Sequence, residues 1–179
     1  MSTDIRIKKG LNINLVGAAE PTTSKAVSSN VYSIILDDFH GLTPKMLVKE
    51  GAEVKAGEPI FYNKSYDAMK FVAPVSGELV EIERGARRRI LNVKILADKE
   101  QKTLEHNPLD PGKASAEDIR AFLLETGCWP FIRQRPYDLI AHPEDTPKAI
   151  FVSAYVTAPL AADINYTLKG REAELQAAL

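Results

Sequence analysis

The sequence has a single cysteine, Cys128, in 179 residues. One thiol closes no internal disulfide and supplies no cysteine-ligated iron–sulfur cluster within this chain. A reducing compartment is the simplest reading. Histidine is scarce as well. His40, His106 and His142 fall in separate segments, without the i, i+4 spacing of a helical ligand pair, so no metal site is expected. No stretch approaches the roughly 18 consecutive apolar residues of a membrane-spanning helix. Any link to a membrane is therefore expected to run through a partner. Residues Met1 to Gly10 are polar and lack the apolar centre of a secretory signal. Lys and Arg number 23 against 24 Asp and Glu, a formal net charge of -1. That balance offers no basic face for nucleic acid. Neither G-x-G-x-x-G nor G-x-S-x-G occurs, which removes the commonest dinucleotide fingerprint and the hydrolase nucleophile elbow.

What is present is ordinary globular material, 45% hydrophobic and 26% charged. The length suits one medium domain or two small ones. The first hundred residues read as β. Leu11, Ile13 and Leu15 alternate with Asn12 and Asn14, and Leu91, Val93 and Ile95 alternate with Asn92 and Lys94, both with period 2. Val31 to Leu36 is a short β-branched run. Gly41, Pro44, Gly51, Gly57, Pro59, Pro74, Gly77 and Gly85 punctuate the stretch, which predicts many short strands in a small barrel or sandwich. The character changes near Asn107–Pro108 and Pro111–Gly112, so we place a boundary between residues 1–105 and 106–179. Ser115 is expected to cap a helix, with Asp118 three residues on as in a capping box. Ile119, Phe122 and Leu123 form its apolar face, and Gly127 stops it. Ala149 to Tyr155, AIFVSAY, predicts a buried strand, and Lys169 to Leu179 predicts a further helix. Helix, loop, strand and helix suggest the opening of a Rossmann-like α/β domain. Four such elements are too few for a whole one, so the natural protein is expected to continue past Leu179.

The most informative segment is Leu47 to Ile82. Gly51-x-x-Val54-x-x-Gly57 places two glycines around one apolar residue, where positive φ and close strand crossings are needed. Pro59 precedes the apolar pair Ile60–Phe61, and Ala73-Pro74-Val75-Ser76-Gly77 forms a second tight turn. This pattern resembles the biotinyl/lipoyl carrier family, a flattened barrel-sandwich β fold. Carriers bear their prosthetic group on a lysine at a hairpin tip, and Ala68-Met69-Lys70-Phe71 is similar to their modification motif. The spacing opposes that role: Lys70 lies only seven residues before Gly77. A lysine at the start of a strand is the plainer reading.

Other blocks carry a more specific resemblance. The opening IRIKKGLNINLVGAAEP, Gly41-Leu42-x-Pro44-Lys45-Met46-Leu47-Val48-Lys49-Glu50-Gly51, Lys70-Phe71-x-Ala73-Pro74 and Arg84-Gly85-Ala86-Arg87-Arg88 resemble the A subunit of the sodium-translocating NADH:quinone reductase family. So do Arg133-x-Arg135-Pro136, Thr146-Pro147-x-Ala149-Ile150-Phe151-Val152 and Pro159-Leu160-Ala161-Ala162-Asp163. The resemblance implies a protein on the cytoplasmic face of the bacterial inner membrane, held there by membrane-embedded and flavin-bearing partner subunits. It implies passage of electrons from NADH to ubiquinone with sodium export. Flavin and iron–sulfur centres are expected only in the partners, and ubiquinone is the ligand the resemblance suggests for this chain. The family is also similar to the flavin-binding subunit of respiratory complex I. The stretch corresponding to its flavin-phosphate loop, Thr126 to Pro136, has one glycine and bulky Trp129, Phe131 and Ile132. Such side chains obstruct the bare backbone N–H groups that a phosphate requires. A related electron-transport protein with further cofactor sequence, and the carrier reading on Lys70, stand as rivals.

Arg133 and Arg135 are the best candidate site residues. Alternate positions on an extended chain point the same way, so both guanidiniums face one anion or partner carboxylate, or else brace their own loop. Arg87-Arg88-Arg89 is a basic run beside a predicted turn, for which solvation is the default and docking on a partner or anionic lipid the alternative. Cys128 beside Trp129 reads as packing. The loop from Tyr155 to Asp163 ends the predicted strand, where open α/β sheets place ligands.

Overall fold

Glycine and proline cut the first hundred residues into segments too short for anything but a small sheet, and short strands form. The computed structural model describes residues 15–17, 19–154, 156, 158 and 160–178. The strands are β1 (Val31–Ile35), β2 (Pro44–Met46), β3 (Glu53–Val54), β4 (Pro59–Asn63), β5 (Tyr66–Val72), β6 (Gly77–Arg84) and β7 (Ile90–Ala97). They make two antiparallel sheets, one in the order β1-β7-β6-β3 and one in the order β2-β4-β5. The predicted alternation over Val93 and Ile95 holds in β7, where both are fully buried. The Leu11 to Leu15 pattern falls mostly outside the described residues.

Ile60, Phe61, Leu79, Val93 and Ile95 fill the space between the sheets without solvent exposure. Adjacent Ile60 and Phe61 are both buried, which a regular strand forbids because neighbours face opposite sides. A register shift between Pro59 and Phe61 removes the conflict. Phe61 stacks on Phe71 with ring centroids 4.7 Å apart, and Phe39 meets Phe71 edge-on at 5.0 Å.

The second predicted turn is held by a polar clamp. Buried Ser76 takes the backbone N–H of Lys102 on its Oγ at 2.9 Å, and that Oγ also donates to Asp98 Oδ2 at 3.1 Å. Its own N–H donates to Gln101 Oε1 at 2.8 Å. Gly77 follows with φ +149, and a Cβ there would overlap the Leu96 carbonyl oxygen on β7. The close pairing of β6 with β7 at this position admits only glycine.

One compact unit covers Val27–Thr146. It includes helix α1 (Ala116–Glu125), which lies beyond residue 105. The expected capping box is present: Ser115 Oγ accepts from Asp118 N at 3.1 Å, and Ser115 N donates back to Asp118 Oδ2 at 3.1 Å. These bonds hold the Asp118 carboxyl below the usual aspartate range, the Ser115 side chain first and its backbone second. Leu124 enters the core. Gly127 ends the helix at φ +74, and a Cβ on it would stand 2.7 Å from Val72 Cγ1 on β5. A 3-10 turn, Trp129–Phe131, leads to the hairpin of β8 (Arg133–Gln134) and β9 (Leu139–Ile140). The Trp129 indole N–H closes this corner on Ala141 O at 2.7 Å.

A second unit joins Met1–Ala26 to Pro147–Leu179. It contains α2 (Ile164–Leu168), capped by Asp163 Oδ1 on Asn165 N at 2.9 Å, and α3 (Glu172–Ala178). The buried strand predicted for Ala149 to Tyr155 is not found among its described residues. Positions 149–154 are neither strand nor helix, and Ile150, Phe151 and Val152 are 80%, 92% and 65% exposed. Tyr155 lies outside the described residues. A buried strand needs hydrogen-bonded neighbours, and no strand occurs among the described residues of this unit.

Candidate functional site

Among the described residues, the two antiparallel sheets leave β1 at an edge, with β7 as its only neighbour in the sheet. Between β1 and the turn that follows α1 lies a groove of about 250 Å³. Ile34 and Ile35 line it from β1, Phe71 and Val72 from β5, and Pro130 and Phe131 from the 3-10 turn. Phe39 closes one side, with its ring 6.1 Å from that of Phe131 in an edge arrangement. Phe131 is 73% exposed although it lines an apolar wall. The polar side chains of the lining are Ser33 and Asp38. The site thus offers apolar contact with few fixed hydrogen-bonding groups.

Arg133 stands beside this groove. Its Nη2 donates to Asp38 O at 2.7 Å, its Nη1 reaches Asp138 O at 3.4 Å, and its guanidinium lies over the Phe39 ring at 5.7 Å from the centroid. Arg135 does not join it. Its side chain is 79% exposed and its nearest acid, Asp138, is 4.0 Å away. Although the two are separated by one residue, β8 ends at Gln134 and the chain turns, so the alternation argument no longer applies. Among the described residues, the structure couples Arg133 to Phe39 and leaves Arg135 in solvent.

Lys70 sits inside β5, opposite Tyr62 on β4, and not at the Lys64–Ser65 tip of that hairpin. Its Nζ donates to Asp67 O at 2.7 Å and lies 5.1 Å from the Tyr62 ring centroid. Lys45 flanks the same ring at 5.6 Å, and hydrogen bonding to Tyr62, followed by that group's charge, raises the Lys45 amine above its ordinary range. The Arg87–Arg89 run forms the predicted turn between β6 and β7. His40 lies 3.7 Å from Asp138 and His142 lies 4.0 Å from Asp145, while the His106 ring faces Phe122. Cys128 is exposed, contrary to its reading as a packed residue. It follows Thr126 and Gly127 at the helix end, between buried Gly127 and half-buried Trp129. No helix among the described residues is long and apolar enough to cross a membrane.

Sequence reasoning did not identify the groove. Its walls come from residues 33–39, 71–74 and 127–131, three segments that only the closed sandwich brings together. The one local signal was Phe71, in the Lys70-Phe71-x-Ala73-Pro74 block.

Glycine half-turns, paired antiparallel sheets and a lysine set inside a strand define a barrel-sandwich protein that departs from the carrier arrangement. Residues 5–98 match the family model described as the NqrA N-terminal barrel-sandwich hybrid domain, and residues 114–179 match the NqrA second alpha/beta domain. The chain belongs to the NqrA family. It is 36% identical over 177 residues to the A subunit of the Na(+)-translocating NADH-quinone reductase of Pseudomonas aeruginosa (strain UCBPP-PA14), a match that covers 98% of this chain and 40% of that protein. The corresponding proteins of Yersinia pestis and Tolumonas auensis are 37% and 38% identical, each over 161 residues. Those matches cover 89% and 88% of this chain, and 36% of each relative. The chain therefore spans about 40% of the length of the curated relatives it matches.

Proposed function

We propose that this chain works as part of the A subunit of a sodium-translocating NADH:quinone reductase. The observation that carries this reading is the match of both family domains, in order, along nearly the whole chain. In this reading the complex passes electrons from NADH to ubiquinone and exports sodium. The NqrA chain contributes to assembly and to quinone contact without a redox centre of its own. Its partners are the membrane-embedded and flavin-bearing subunits, which hold it at the cytoplasmic face of the membrane. Flavin belongs to those partners. In support, Gly127 is the one glycine of Thr126 to Pro136, and bulky Trp129, Phe131 and Ile132 follow it.

The apolar groove is the best candidate for the quinone contact. A quinone ring is flat, neutral and apolar, with two carbonyl acceptors. Phe39, Phe71 and Phe131 supply flat apolar surface, and the Ser33 hydroxyl supplies a donor in the lining. Purification of the full-length protein from membranes in mild detergent tests the assembly role. Multi-spanning and flavin-bearing subunits are expected with it; their absence overturns the reading. In the assembled complex, a photoreactive quinone is expected to label the segments around Phe39 and Phe131. Labelling confined to other subunits would remove quinone contact from this chain and leave assembly.

A further inference from the structure

The hairpin joining β6 to β7 carries Arg84, Arg87, Arg88 and Arg89 within six residues, and all four are exposed. Arg87 and Arg88 have φ of 55 and 60, so two successive side-chain-bearing residues occupy the left-handed region. Hairpins of this kind normally place Asn-Gly there, because other L residues are strained at positive φ. Arginine adds a cost to the turn without relieving it. Local rules are broken where something other than folding selects the residue.

The charges at this tip are also uncompensated. Arg89 pairs with Asp37 at the base of the hairpin. Arg84 reaches only the carbonyl of Arg88, at 3.4 Å. Among the described residues, neither Arg87 nor Arg88 has an ion-pair partner. The nearest acid along β6, Glu83, already accepts from Asn92 at 2.8 Å and pairs with Lys94 at 3.3 Å. In a chain with formal net charge -1, three guanidiniums with no ion pair among the described residues are concentrated on one turn.

We propose that this tip, Arg84 to Arg88, is a phosphate-docking site that rests on anionic phospholipid headgroups. The proposal builds on the reading that the chain serves a membrane complex. The guanidinium fork matches a phosphate in bidentate fashion. The tip is exposed from Ala86 to Arg89, and the headgroups of a leaflet move laterally and can meet each arginine in turn. Ala86 is the largest apolar side chain on the turn, so the tip stays at headgroup level without inserting.

The test is sedimentation of the 179-residue chain with vesicles of equal parts phosphatidylcholine and phosphatidylglycerol, against phosphatidylcholine alone. Binding is expected only to the anionic vesicles and should weaken as salt rises to about 0.15 M. The double variant R87N/R88G installs the favoured turn. It should fold at least as stably as the parent and bind about 30-fold more weakly. R87E/R88E should bind more weakly still. Equal binding to both vesicles, or undiminished binding by R87N/R88G, overturns the proposal. So does failure of the parent chain to bind while R87E/R88E releases the partner subunits from the full-length protein, which would assign the tip to a protein carboxylate. Any of these results leaves the partner purification, and with it the assembly reading, untouched.

Discussion

Phe61 and Phe151 are the same amino acid with opposite fates. Phe61, in the unit Val27–Thr146, is fully buried between two sheets, while Phe151, in the other unit, is 92% exposed. Each lies in a run of apolar residues, PIFYN and AIFVSA. The difference lies in the surroundings. β4 is flanked by β2 and β5, which take up its backbone hydrogen bonds and cover its side chains. Positions 149–154 lie in no strand. Apolar sequence supplies the tendency to be buried, and neighbouring strands with satisfied backbone groups decide whether it is realised.

Substitutions can sharpen that contrast or break it. Gly77→Ala should have the largest effect, about 4 kcal/mol or more, because a Cβ forces β6 away from the Leu96 carbonyl. A denaturant melt showing near-parental stability would mean that β6 and β7 do not pair this closely at Gly77. Phe61→Ala should cost about 3–5 kcal/mol through the cavity it leaves beside Phe71, again read as a shift in unfolding midpoint. Ser115→Ala should cost about 1 kcal/mol by removing the α1 cap. Asp118 gives this cap a pH signature. Its folded-state pKa is lowered, so its contribution is complete above the ordinary aspartate range and is lost as pH falls through that range toward the folded value. The gap in stability between the parent and Asp118→Asn should therefore narrow in acid, and a gap independent of pH would refute the charged cap. Phe151→Ser should change stability by no more than about 0.5 kcal/mol, since the ring is already in water. A loss comparable to that of Phe61→Ala would erase the contrast between the two units.

Much of the barrel was legible because its signals are local. Gly51, Val54 and Gly57 announce one tight turn and Ala73 to Gly77 another, and both turns form. Ser115 and Asp118 announce a cap whose partners are three residues apart, and its geometry is as expected. The failures arose where distant segments decide. The pairing of Arg133 and Arg135 was inferred from strand alternation, but β8 stops at Gln134 and Asp38, 95 residues away, takes Arg133. The AIFVSAY run read as a buried strand because periodicity reports hydrophobic character and not the presence of a neighbour.

By itself, then, the sequence determined the glycine turns, the short strands, the helix cap and membership of the NqrA family, all of which depend on residues close along the chain or on their order. Only the tertiary structure decided that Lys70 pairs with Tyr62 across β4 and β5, that Phe39, Phe71 and Phe131 share one groove, and that, among the described residues, Arg87 and Arg88 stand without an ion pair at positive φ. Those features depend on which backbone closes against which, and loop closure joins residues whose relation no local pattern records.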